Sequence, residues 1–355
     1  MFISNPETRR KIGRFKEIKR GYYSFLILMG ILLLTSFCEL ISNSRALLVS
    51  YEGNLYFPTY SAFHPGTDFG LDYPYETNYR ELKQKFLEEG SGNWVLMPPV
   101  TFNPYENNAQ DDIFRPSAPS IRNGHYLGTD TTSRDILSRL IYGTRIALWF
   151  ALAFTLSVYL IGIVIGCAMG YFGGIFDLLF QRFIEIWSNI PFLYMVIIVF
   201  SVVPSGLPSS ARITILLSVM VLFSWTSITY YMRTETYREK SRDYVSAARI
   251  MGASTWRIIF KHILPNAMST LITFVPFTVI AAITAITALD FLGFGLPPPT
   301  PSLGELLKQG TSSLRTAPWI VISAFGTLVM ILTLITFVGE AIRESFDPKK
   351  FTIYE

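Results

Sequence analysis

The chain has 355 residues; half are hydrophobic and only 16% are charged, where an ordinary soluble domain carries about 25%. With a mean hydropathy of +0.36, this excludes a disordered protein, a disulfide-stapled secreted scaffold and a typical soluble enzyme. The net charge of +4 gives no global basic face, so no nucleic-acid partner is expected and membrane lipid is.

The first 20 residues hold seven Lys/Arg and run into an apolar stretch at 22–41 whose only charge is Glu39. Twenty residues at 1.5 Å each span about 30 Å, the thickness of the hydrocarbon core. The stretch reads as an uncleaved anchor with its N-terminus in the cytoplasm, since no small-residue cleavage pattern closes it. Residues 1–42 form this unit. Residues 43–143 follow as a polar segment rich in Tyr, Phe, Pro and Asn, expected outside the membrane. A short helix is expected at 79–89, with turns and irregular chain elsewhere. The segment is expected to end in an amphipathic interface helix capped by Thr132 or Ser133, with Ile136, Leu137, Leu140 and Ile141 on one face and Arg134, Ser138 and Arg139 away from it.

From 144 to 343 the chain is mostly membrane, with spans expected at 146–170, 183–203 (broken by Pro191), 213–232, 266–292 and 318–338. The basic residues concentrate in the short segments placed inside, which gives six spans with both termini cytoplasmic and a tail at 344–355. Cys38 and Cys167 fall toward opposite faces of the membrane and read as unbridged core residues.

Several chemistries are absent. The dipeptide Gly-Lys does not occur, so there is no Walker phosphate loop. None of His64, His125 and His262 is followed by Glu, and no G-x-S-x-G is present. Three scattered histidines and two separated cysteines give no metal-ligand spacing, so neither a metal nor a catalytic residue is expected. Glu39, Glu185, Asp290 and Glu340 sit near span ends, which argues against a pump or channel; Glu185 is expected to pair with Arg182.

The informative stretch lies between the fourth and fifth spans. Tyr244, Ala247, Ala248 and Met251 repeat at helical spacing, Gly252 breaks the helix, and Ser254 can cap a second helix bearing Trp256, Ile259, Phe260 and Ile263. Small residues before a glycine elbow make a knob able to seat in a groove on another protein, with the bulky second helix anchoring it. By composition alone, an amphipathic connector on the inner leaflet fits as well.

The spacing Ala247-Ala248-x3-Gly252-x9-His262-x-Leu264-Pro265 resembles the E-A-A-x3-G-x9-I-x-L-P signature of ABC-importer permease subunits. Ser246 and His262 replace its Glu and Ile, as in the oligopeptide/dipeptide branch. His125-Tyr126-Leu127-Gly128-Thr129-Asp130, Gly170-Tyr171-Phe172-Gly173-Gly174, Phe291-Leu292-Gly293-Phe294-Gly295 and Asp347-Pro348 are similar to that branch as well. The long outer segment and Arg182-Phe183-Ile184-Glu185-Ile186-Trp187-Ser188 resemble the second permease of Yej-type importers of peptides and microcin C. The resemblance implies an all-α membrane protein with a type I permease core in a bacterial inner membrane. It also implies partners: a homologous second permease, two cytoplasmic ATP-binding subunits that use ATP and Mg, and a periplasmic peptide-binding protein. Tyr244, Ala247, Ala248, Arg249, Gly252, Ala253 and Ser254 would form the ATPase-coupling helix. Thr273, Phe277, Thr284 and Thr287 fall within about 80° of one another on a regular helix and could line a peptide path, although interhelical hydrogen bonding explains them equally. A permease for dipeptides or nickel is the alternative; a secondary transporter would need buried ionisable coupling groups.

Overall fold

A computed structural model describes residues 6–90, 92–109, 115–204 and 206–346; Asp347-Pro348 lies outside them. Helix α1 (Pro6–Glu17) meets α2 (Lys19–Ser36) at a bend of 96°. The apolar run at 22–41 is not one helix. The Thr35 and Ser36 hydroxyls donate back to the Ile31 and Leu32 carbonyls at 2.8 and 2.6 Å, and α2 stops there. The short α3 (Cys38–Ile41) follows after Phe37. Competition from such local hydroxyl bonds favours a break at this point.

Residues 43–143 carry a sheet, which corrects the expectation of a purely helical protein with irregular chain here. Strands β1 (Leu48–Tyr51), β2 (Asn54–Tyr56) and β3 (Trp94–Leu96) pair antiparallel in the order β2-β1-β3. Glu52 and Gly53, both at positive φ (50° and 80°), make the two-residue turn of the β1–β2 hairpin. Val49 and Val95 on the inner face pack against Phe69, Leu82 and Phe86, the last two from α4 (Tyr79–Glu89), which forms where expected. Asn78 caps α4 by accepting from the backbone N–H groups of Arg80 and Glu81, and Gly90 ends it in the left-handed conformation. Strands of three or four residues are too short for alternation to reveal.

The expected interface helix does not exist as a separate element. Asp135 caps α5 (Ile136–Phe172), accepting from Ser138 N–H at 2.7 Å, and α5 continues unbroken for 37 residues, about 55 Å. Arg139, expected on the polar face, is fully buried. Its partners arrive from elsewhere in the chain, as described below.

After Gly173 come α6 (Gly174–Ser188) and α7 (Phe192–Val202), bent by 72° around Pro191. The interruption falls at the expected proline, but α6 starts well before 183. Arg182 pairs with Glu185 at 2.6 Å, the local ion pair expected. Helix α8 (Ser209–Lys240) outruns its expected end at 232, and just beyond that point Arg233 donates through Nε and Nη2 to the two carboxylate oxygens of Asp177 on α6. Helix α9 (Asp243–Ile250) precedes α10 (Thr255–Leu292), which runs straight through Pro265. Inside α10, a π turn at Ile258–Ile263 and a 3-10 turn at Ile272–Phe274 accommodate the missing N–H groups of Pro265 and Pro276. Helices α11 (Leu303–Ser312) and α12 (Pro318–Phe346) complete the chain.

The core lies where α5, α8, α10 and α12 meet, around Phe154, Val158, Met220, Ile283, Ile286 and Ile331. Helices α5 and α8 approach backbone to backbone. A Cβ at Gly162, Gly166 or Gly170 would sit within 2.8 Å of Ile228, Thr229 or Thr236. Four-residue spacing puts these three glycines on one face, the close-packing device of membrane helices. Four helices are long and apolar enough to cross a membrane, or six if each bent pair counts as one span.

Candidate functional site

Helix α9 and the elbow after it stand at the end of the bundle where α5 finishes, beside Tyr171. Val245 and Ala248 are buried and face the bundle; Val245 packs with Ile258, Ile263, Tyr171 and Ala253. Of the expected docking face, Tyr244, Ala247 and Met251 are exposed and Ala248 is buried. Ala247 and Arg249 are exposed, and Ile250 and Met251 are 87% and 79% exposed. The second helix keeps half of its expected anchoring face. Ile259 and Ile263 are buried, joined by Ile258, while Trp256 and Phe260 stack on each other at 5.8 Å and remain 67% and 53% exposed. A π turn places residues five apart on one face, which a 3.6-residue repeat does not anticipate.

Gly252 turns the chain at φ +79° with nothing within 4 Å of a Cβ built on it. Ser254 caps α10, its Oγ accepting from Arg257 N–H at 3.4 Å. The Arg249 guanidinium lies 6.0 Å over the Tyr171 ring. The elbow thus projects an unpartnered apolar tip from a base fixed by Val245 and Ala248.

Tyr244 ties that base to two long helices. Its hydroxyl donates to Glu239 Oε2 of α8 at 2.6 Å and accepts from Asn266 Nδ2 of α10 at 3.0 Å. Burial, then the bond to Glu239, pushes the Tyr244 hydroxyl above its ordinary pKa, so it stays a donor at neutral pH. Displacing α9 must strain both bonds together.

A cavity of about 540 Å³ opens between α5, α7, α8 and α10. Its wall is mainly aromatic and aliphatic, with the hydroxyls of Ser224, Ser227, Tyr231 and Thr278 among its lining. Of the four expected path residues, Phe277 lines it. Thr273 lies outside the lining and donates to the Thr270 carbonyl at 2.6 Å. Thr284 is exposed away from it, and Thr287 is buried, at a level where its carbonyl abuts Gly304 of α11. The 3-10 turn at Ile272–Phe274 shifts the phase between Thr273 and Phe277, so one regular face does not hold. Ser224, Ser227 and Tyr231 repeat at i, i+3, i+7, a polar stripe inside an apolar helix that the sequence displays and that marks this wall.

At the opposite end a buried ionic knot joins the start of α5 to α11. Arg134 Nε donates to Asp130 Oδ2 at 2.9 Å, and its Nη2 donates to Glu305 Oε1 at 3.3 Å. Arg139 donates to the other oxygen of Glu305 and to the carbonyls of Pro104 and Pro299. Two cations thus meet two carboxylates. His125 Nδ1 bonds Asp135 at 2.9 Å beneath the stacked Phe102 ring. Among the described residues no group of three or more His, Cys, Asp or Glu could hold a metal ion. Cys38 and Cys167 are buried and unbridged.

Known proteins resemble the whole of this arrangement. Inner membrane ABC transporter permease protein YejE of Escherichia coli (strain K12) is 42% identical, covering 98% of this chain and 98% of its own. Peptidoglycan transport system permease protein YejE of Agrobacterium fabrum is 38% identical over 98% of this chain and 94% of its own. Oligopeptide transport system permease protein OppC of Escherichia coli (strain K12) is 32% identical over 72% of this chain and 82% of its own. Residues 162–352 match the family described as binding-protein-dependent transport system inner membrane component. With more than half of its length matched from within α5 through α12, the elbow included, the chain belongs to the family of binding-protein-dependent transport system inner membrane components.

Proposed function

We propose that this chain is the membrane permease subunit of an ATP-driven ABC importer that carries oligopeptides or peptide-like compounds, with microcin C-type molecules as the finer substrate class. The near full-length likeness to a permease named for peptidoglycan transport, and the likeness over 72% of the chain to one named for oligopeptide transport, support the substrate class. In this reading the two bent helix pairs each make one span, giving six, with both termini in the cytoplasm and the sheet on the periplasmic side of an inner membrane. A homologous permease completes the pore and a peptide-binding protein docks on the sheet side. Two ATPase subunits, which bind ATP and Mg, seat the elbow of residues 244–254.

The observation that carries the reading is the geometry of that elbow. Its apolar tip is exposed, as are Ala247, Gly252 and Ser254, while Arg249 packs over Tyr171 of α5 and Tyr244 links the base to α8 and α10. A movement imposed at the tip therefore reaches two spanning helices. The cavity wall includes α8 and α10, so the same movement widens or closes it. Its hydroxyl groups can bond a peptide backbone without selecting side chains.

Gly252→Trp tests this. No atom of the chain itself occupies the space a side chain would take at Gly252. The positive φ adds about 1–2 kcal/mol of strain. The variant should insert normally and lose uptake of labelled peptide together with capture of the ATPase subunits, and Gly252→Asn, which tolerates positive φ, should retain both. Normal uptake by Gly252→Trp rejects the docking role.

A further inference from the structure

We propose that α1, α2, α10 and α12 form a binding site for one acidic phospholipid, with the acyl chain in an apolar groove and the headgroup on the basic side of α1. The proposal is independent of the transport reading, since it requires no ATPase or second permease.

Three observations converge. First, α1 lies at 96° to α2. If α2 crosses the bilayer, α1 lies along its surface. Ile12 and Phe15, three residues apart, line the groove against the bundle, while Arg9, Arg10 and Lys16 are exposed around them. A basic amphipathic helix of this kind partitions into the headgroup region. Second, a groove of about 190 Å³ runs beside it, walled by Ile12 and Phe15 of α1, Phe25 of α2, Ile272 of α10 and Ile342 of α12. Phe15 meets Phe25 edge-on at 6.0 Å, which fixes the wall, and Phe25 and Ile272 remain 40% and 36% exposed. The groove is therefore open toward the surroundings and not sealed core. Third, Lys11 stands at its rim, its ammonium 4.8 Å over the Phe346 ring. Between residues 9 and 20 seven Lys/Arg accompany a single acid, Glu17. The nearby Glu340 is engaged by Arg20 at 2.9 Å.

An apolar slot rimmed by excess positive charge matches a molecule with an anionic head and a hydrocarbon tail. A zwitterionic lipid would fill the slot without using the charge. A soluble anion would use the charge without the slot. Each Lys or Arg near an anionic headgroup strengthens binding about fivefold.

The test reconstitutes the full chain into vesicles of equal parts phosphatidylglycerol and phosphatidylcholine, extracts it mildly, and measures retained lipid by mass spectrometry. Wild type should retain phosphatidylglycerol over phosphatidylcholine by about fivefold or more. Lys11→Glu with Arg10→Glu should bring the ratio to about one while the protein stays monodisperse. Ile342→Trp, which fills the slot and leaves the charge, should lower the amount of phosphatidylglycerol retained. If the double variant is not recovered folded, Lys11→Met serves in its place and should lower the ratio. Equal retention of the two lipids by wild type overturns the site, as does a ratio unchanged by the charge substitutions. Undiminished retention by Ile342→Trp overturns the groove as the acyl seat.

Discussion

The knot between α5 and α11 is worth perturbing first, because its parts can be removed singly or as a charge-balanced pair. Arg139 is fully buried and Asp130, Arg134 and Glu305 nearly so. Arg139→Met deletes one cation and leaves two carboxylates facing Arg134 alone. Removing one partner of a buried pair costs about 3–5 kcal/mol, because the stranded charge keeps its desolvation penalty. Arg134 still reaches both acids, at 2.9 and 3.3 Å, so a loss near the lower end, about 3 kcal/mol, is expected. At about 2 °C per kcal/mol the apparent unfolding midpoint, followed by tryptophan fluorescence in detergent, should fall by roughly 6 °C. The double variant Arg139→Met with Glu305→Met leaves Asp130 and Arg134 as a neutral pair and should return to within about 2 °C of wild type. If the double falls further than the two single changes combined, or Arg139→Met shifts the midpoint by less than about 1 °C, the electrostatic account is wrong.

Two further outcomes follow from other contacts. Tyr244→Phe keeps the ring and removes the hydroxyl that joins α9 to Glu239 and Asn266. A bond to a charged group contributes about 1.5–3 kcal/mol, and the expected result in the assembled transporter is ATP hydrolysis that persists while peptide uptake per ATP falls. Glu239→Gln preserves an acceptor and should retain coupling; equal losses in both variants would point to simple misfolding. Gly166→Leu drives a side chain into Thr229 and Met232, where even a Cβ would come within 2.6 Å. Overpacking on this scale costs about 1–3 kcal/mol or more, and the variant should show faster proteolysis at the α5–α8 seam than Gly326→Leu, whose Cβ meets nothing within 4 Å on ordinary helical backbone.

Much of the architecture was legible because it is local. Composition and apolar run length marked the membrane class; Asn78 and Gly90 bounded α4; Pro191 marked the break between α6 and α7; and the spacing of Ala247, Ala248 and Gly252 marked the elbow. These features depend on a residue and its near neighbours along the chain, and caps, prolines and glycines act at that range. The Gly162-Gly166-Gly170 stripe and the Ser224-Ser227-Tyr231 stripe are equally visible as spacings in the sequence.

What only the tertiary structure decided were phase and partnership. In α10 a π turn brings Ile258 inward beside Ile259 and Ile263 and leaves Trp256 and Phe260 outside, and a 3-10 turn shifts Thr273 out of phase with Phe277. A periodicity argument assumes one constant repeat and so cannot register such slips. Arg139 reads as the polar side of a surface helix until Glu305, 166 positions later, is brought beside it. A buried charge is tolerated only with its counter-charge in contact, and that contact is a property of packing, not of sequence neighbourhood.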